Sequence, residues 1–242
     1  MGKTARNRTK KALFWAFLLI ITAVLAVGTF FAVRGYSMYR TALEEQPLAE
    51  KVAEIQGRAS YVTLKELPPI YHDALLAAED HRYYSHNGID PIGILRALWV
   101  DLTTLSLKEG GSTITQQLAK NLYFPMDQSP ERKIAEMLLA VRLEKEYGKE
   151  GVLDLYINSI YYGSGYYCIY DAAKGYFDKE PGALSDFECT LLVGIPNAPS
   201  VYDPTVNPDL AEQRHKQVLD KMVRNGYLTQ EEAEAIKYEE NS

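Results

Sequence analysis

Residues 110–147, GGSTITQQLAKNLYFPMDQSPERKIAEMLLAVRLEKEY, decide the fold class. Ile114, Leu118 and Leu122 recur at i, i+4 and i+8, the spacing that lines one face of an α-helix with apolar side chains. Thr113, Gln116, Gln117 and Lys120 then share the polar face. Pro125 and Pro130 bound a break, after which helical spacing resumes at 132–147. The same period recurs at 71–84 and 91–105, and in shorter runs at 151–160, 169–176 and 186–193. Capping boxes at Ser185-Asp186-Phe187-Glu188 and Thr229-Gln230-Glu231-Glu232 mark two late helix starts. One short extended piece, 61–64, precedes Pro68-Pro69, so β structure is expected to be minor. The expectation is a mainly helical, all-α domain whose C-terminal third is structural.

The 242 residues leave room for one domain of roughly 180 to 200 residues once the N-terminus is set aside. Overall the chain is mildly acidic, with 26 Lys+Arg against 32 Asp+Glu, a balance that points away from nucleic acid. Charge is segregated, however: the first eleven residues carry Lys3, Arg6, Arg8, Lys10 and Lys11 and no acid. Residues 12–33 follow, 22 positions without a charge. At ~1.5 Å per residue they reach about 33 Å, enough to cross a bilayer. The organisation read from this is a basic cytoplasmic tail (1–11), a transmembrane anchor (12–33), a polar stalk (34–58) and an extracytoplasmic domain (59–242). A cleaved signal peptide is the competing reading, but its apolar region normally runs only about 7 to 15 residues. Cys168 and Cys189 have neither metal-ligand nor redox spacing and are expected as buried thiols.

Three clusters carry chemistry-bearing residues. In AEDHRYYSHNGID (78–90) the acids Glu79 and Asp80 end a helix before a break at Gly88. Alone, they read more often as a solvated, salt-bridged surface beside Arg82 than as a cleft, and His81 and His86 read as packing rather than zinc ligands. In the second cluster a glycine pair opens a helix, freeing backbone N–H groups for an anion, and Lys120 adds a cation; the alternative is a polar helix surface capped by Ser112. In the third, Arg132 and Glu136 stand at i, i+4, which suits a simple ion pair or a cationic grip beside an acid. Spacing does not choose.

The combination does. EDHRYYSHNGID, GGSTITQQLAKN, RKIAE, VLDLYINSIYYG, and AAKGYF followed by LLVGIPNAPSVYDP resemble, in order, the five sequence blocks of the peptidoglycan glycosyltransferases. This family includes the polymerase domain of bifunctional penicillin-binding proteins, and the similarity runs over about 61–227. With no transpeptidase domain following, the chain is similar to the monofunctional members.

The resemblance implies a lysozyme-like helical fold and inverting polymerisation of lipid II onto a nascent glycan strand, with release of undecaprenyl diphosphate. On this sequence it implies Glu79 as general base and Glu136 as the second catalytic glutamate. Asp80, Ser112, Gln117, Lys120, Asn121, Arg132 and Lys133 fall at substrate-binding positions. It further implies a membrane location, transpeptidase and cell-wall synthesis partners, inhibition by moenomycin, and a divalent cation (Mg or Mn) in some members, for which no oxygen-ligand motif is visible. Gln128 stands where the family often has a basic residue, Asp154 replaces a Glu, and Asp178 a Gly. A stretch of large apolar residues, Leu98-Trp99-Val100 with Leu102, Leu105 and Leu107, reads either as lying against the outer leaflet or as a buried core helix.

Overall fold

The computed structural model describes residues 2–104, 111–124 and 129–236. Among these residues all regular structure is helical. The expected extended piece at 61–64 is instead coil running into a 3₁₀ turn at Leu64–Glu66. Its backbone is satisfied by side chains rather than by a strand: Val62 N–H donates to Asn158 (3.0 Å), Leu64 N–H to Asp154 (2.7 Å), and Thr63 closes a capping box with Glu66.

The first helix, α1 (Gly2–Glu45), continues the apolar run without a break. It is the one helix among the described residues long and apolar enough to cross a membrane. The segment expected as a stalk is also helical. α1 lays Met38, Tyr39, Ala42 and Leu43 on the core, and α2 (Leu48–Gln56) buries Leu48, Val52 and Ile55 in it. The globular body therefore begins before Ala59. Polar composition hid this, because three apolar residues at i, i+4, i+7 suffice for a core face.

α3 (Pro69–Glu79) starts on Pro69, whose fixed φ suits a first helical turn, and buries Tyr71, Leu75 and Leu76. α4 (Pro91–Thr104) leaves Ile92, Leu95 and Trp99 largely exposed, at i, i+3 and i+7. The side chains of Leu98 and Leu102 are not described, and Leu105, Leu107 and Gly110 lie outside the described residues. α5 (Ile114–Tyr123) packs on α6 (Pro130–Ile157) through Ile114, Leu118 and Leu122. Gly148, at φ 67, breaks α6 where the sequence separates its two helical runs.

α7 (Ile169–Phe177) ends on Asp178 in the left-handed region (φ 53), which explains why a glycine would suit that position. α8 (Asp186–Gly194) packs between α3 and α9 (Pro208–Arg224), and α10 (Gln230–Ala235) closes the described chain. Ser185 and Thr229 both form the expected capping boxes. Cys168 and Cys189 are buried free thiols, and burial pushes Cys189 up to about 12.

Candidate active site

Glu79 is the last residue of α3, and the chain leaves the helix at Asp80 (φ −158, ψ 72). The preceding residues, Ala77 and Ala78, are small enough for α9 to approach the helix end. Their carbonyls, unsatisfied within the helix, accept from Asn225 Nδ2 (3.2 Å) and Lys221 Nζ (2.5 Å). The Glu79 carboxylate is held at both oxygens: Gln117 Nε2 donates to Oε2 (2.9 Å) and Arg214 Nη2 to Oε1 (3.3 Å). Tyr156 donates to Gln117 Oε1 (3.1 Å), fixing which way that amide faces. Four lone-pair positions on a carboxylate leave room for a further donor. A cleft of about 550 Å³ opens at Glu79, bordered by Arg96, Tyr202, Lys221 and Arg224.

Asp80 points elsewhere. It is buried, accepts the Ile114 N–H at the start of α5 (3.1 Å), and lies 3.0 Å from His86 Nε2. A carboxylate at a helix N-terminus is favourably placed in the helix dipole, so Asp80 ties the first cluster to the second. Behind it His86 Nδ1 lies 4.0 Å from Glu144, which also receives Thr115 Oγ1 (2.6 Å) and pairs with Lys149 (2.7 Å). The turn between them depends on Gly88. Its φ is +81, and a Cβ there would stand 2.7 Å from the Ala140 backbone. Asp90 starts α4 and pairs with Arg82 (3.0 Å). Burial acts to raise its carboxyl, but the Gly93 N–H and the Arg82 guanidinium outweigh it and hold it below the usual range.

The second acid, Glu136, is 2% exposed and sealed by cations: Arg132 Nε at 2.8 Å from one oxygen and Lys133 Nζ at 3.0 Å from the other. Lys133 also donates to Ser112 Oγ (2.6 Å). Ser112 is thus a partner of α6, and Thr113, not Ser112, caps α5 by accepting from Gln116 N–H. Gln116, placed on the polar face by periodicity, is fully buried because its amide returns to Thr113 in the capping box. Lys120 and Asn121 are half-buried on α5, and their side chains make no hydrogen bond or ion pair among the described residues. Ser112 shares a small crevice with Glu79 and Asp80, which links the two acid centres. Gln128 lies outside the described residues.

Among the described residues no group of three His, Cys, Asp or Glu side chains is arranged to hold a metal ion, and both Glu136 oxygens already face cations. This donor set does not fit a resident Mg or Mn ion. Sequence reasoning missed Arg214, Tyr156 and Lys221. The signal for Arg214 was present: it lies with Ala211, Val218 and Met222 on the buried face of α9, where an unpaired charge would not be tolerated.

A family model described as Transglycosylase matches residues 45–223. Penicillin-binding protein 1A of Aquifex aeolicus is 41% identical over 197 residues, 78% of this chain and 27% of that protein. Penicillin-binding protein 1F of Bacillus subtilis is 34% identical over 239 residues, 93% of this chain and 33% of its own length. The chain thus spans about a quarter to a third of these relatives. A protein of Cupriavidus necator named "Putative transglycosylase H16_A0665" is 37% identical over 223 residues, 92% of this chain and 94% of the relative.

Proposed function

This chain belongs to the transglycosylase family, and from that premise we propose that it polymerises lipid II into β-1,4-linked glycan strands, with inversion and release of a polyprenyl diphosphate. In this reading the growing strand is the donor. The 4-hydroxyl of an incoming lipid-linked disaccharide attacks its anomeric carbon, the bond to the diphosphate breaks, and the hydroxyl proton passes to Glu79. Such a base contributes typically ~10² to 10⁴ in rate. Gln117 and Arg214 hold the Glu79 carboxylate toward the cleft, while Arg132, Lys133 and Lys120 neutralise the departing diphosphate with Ser112 and Asn121 beside them. Arg132 can take phosphate bidentately, whereas the lysines act as point charges.

The observation that carries the reading is the crevice joining Glu79 to Ser112 and, through Ser112, to the Lys133–Glu136–Arg132 cluster. Ser112 thereby stands between the proposed proton acceptor and the proposed anion grip. A glycosidase would need the acids but not the cations.

The apolar part of α1 anchors the domain, with the basic tail in the cytoplasm and the site outside, and the exposed Ile92, Leu95 and Trp99 of α4 rest on the outer leaflet. A transpeptidase would cross-link the product, and moenomycin would compete for the cationic grip. Incubating detergent-solubilised protein with labelled lipid-linked precursor tests the proposal. Polymer supports it; cleavage of finished glycan would make the protein a lytic enzyme, and neither outcome would leave it a scaffold.

A further inference from the structure

The cleft at Glu79 carries more positive charge than the proposed reaction uses. Arg96 of α4 and Arg214, Lys221 and Arg224 of α9 line it, four cations against two acids, Glu79 and Asp80. Both acids are already committed: Glu79 faces Arg214, and Asp80 turns to the start of α5 and to His86. Arg96, Lys221 and Arg224 remain, with no further acid in the described lining. His81, in the same wall, registers the field: burial lowers its imidazole first, and the guanidinium groups of Arg96 and Arg82 lower it further.

The α9 side of this wall is fixed. Lys221 and Asn225 donate to the Ala78 and Ala77 carbonyls and so tie the last turn of α9 to the end of α3. Arg224, between them in sequence and exposed, makes no hydrogen bond or ion pair among the described residues. A guanidinium presents its N–H groups as a fork that matches a carboxylate, and the amides of Asn197, Gln217 and Asn225 in the same lining suit peptide groups. Sugar hydroxyls call for hydrogen bonds and no net charge. The departing diphosphate has its own cations in the reading above, Lys120, Arg132 and Lys133, and none of them lines this cleft. The remaining anion on a lipid-linked cell-wall disaccharide is the carboxylate of its peptide stem.

We propose that Arg224 and Arg96 receive the carboxylates of the stem peptide carried by the sugar bound at Glu79, which makes the cleft selective for acidic stems over amidated ones. The inference rests on the polymerase reading above and adds the substrate feature that the cleft selects.

The test compares two precursors with the same disaccharide and lipid, one with free stem carboxylates and one with them amidated, on the full chain in detergent at low salt. The wild type should show a KM about tenfold lower for the acidic precursor, a gap that narrows as added salt screens the exposed cations. Arg224→Gln, at an exposed position, and Arg96→Gln should each erase most of that gap by raising KM for the acidic precursor, while KM for the amidated one moves less than about twofold. Arg224→Glu should reverse the preference. Equal KM values for the two precursors in the wild type would overturn the proposal. So would variants that raise both KM values together, the result expected if these cations grip a diphosphate instead. In either case turnover by the wild type keeps the polymerase reading standing, whereas wild-type protein that turns over neither precursor defeats both.

Discussion

Glu79 and Glu136 are both acids among cations, yet the two regions are built differently. Glu136 is served by its own helix: Arg132 and Lys133 stand one turn away and occupy both of its oxygens, and almost no surface reaches solvent. Glu79 is served from a distance, by Gln117 on α5 and by Arg214, 135 positions along the chain on α9, and it borders an open cleft. An acid sealed by two cations orients those cations. An acid held by one guanidinium and one amide, with lone pairs toward a cleft, can take a proton. In the proposed reading the same side chain does two jobs because one acid closes on its own helix and the other depends on tertiary packing.

The sharpest way to break this contrast is to remove the remote partner. Arg214→Met should strand the half-buried Glu79 charge and leave a cavity beside it, and cost about 3 kcal/mol of stability. Adding Glu79→Gln to that variant should recover most of the loss, since neither charge remains, and thermal melts of the cycle read the coupling. Additive losses would mean that the 3.3 Å contact carries no weight.

Acidification probes the same dependence. His215, beside Arg214 on α9, is buried against Phe187 and Thr190, and desolvation lowers it to about 4. The unfolded chain binds that proton near pH 6.5 and the folded chain does not. Stability should therefore be intact above about pH 6.5, fall as pH drops toward 4, and level off below, by about 3 kcal/mol in all. In His215→Gln that component should vanish from denaturant melts run at pH 7 and pH 4.5. Among the described residues no histidine contacts Glu136.

On the cationic side, the proposed grip makes Lys120→Ala the loss of one charge-assisted contact to the diphosphate, worth about 1.5–3 kcal/mol, so precursor or moenomycin affinity should drop ~10- to 100-fold with the melting temperature unchanged. Unchanged affinity would show that this face of α5 does not meet phosphates. The smallest effect belongs to a region remote from both acids: Asp178→Gly should stabilise by about 0.5–1 kcal/mol by relieving the left-handed cap, as a melt would show.

The division between the acids also explains what the sequence could show. Period 3.6 places α3, α5, α6, α7 and α8 within a few residues, because each has a strong apolar face and a cap or breaker at its ends. α2 and α9 escaped because their polar residues dominate composition while only a few positions are buried. The Arg132–Glu136 pair was visible because its members are i, i+4. The partners of Glu79 were not, since contacts across 38 and 135 residues leave no local pattern. Asp80 looked like a second acid beside the first, but only tertiary structure shows it turned away to α5.

Steady-state kinetics of folded Glu79→Gln and Glu136→Gln, measured side by side on lipid-linked precursor, separate the two roles. Loss of the proton acceptor should lower kcat by at least ~10² with KM nearly unchanged, whereas loss of the charge that holds Arg132 and Lys133 should act mainly on KM. Near-normal kcat in a folded Glu79→Gln protein, or a kcat effect confined to Glu136→Gln, would contradict the assignment of Glu79 as the base.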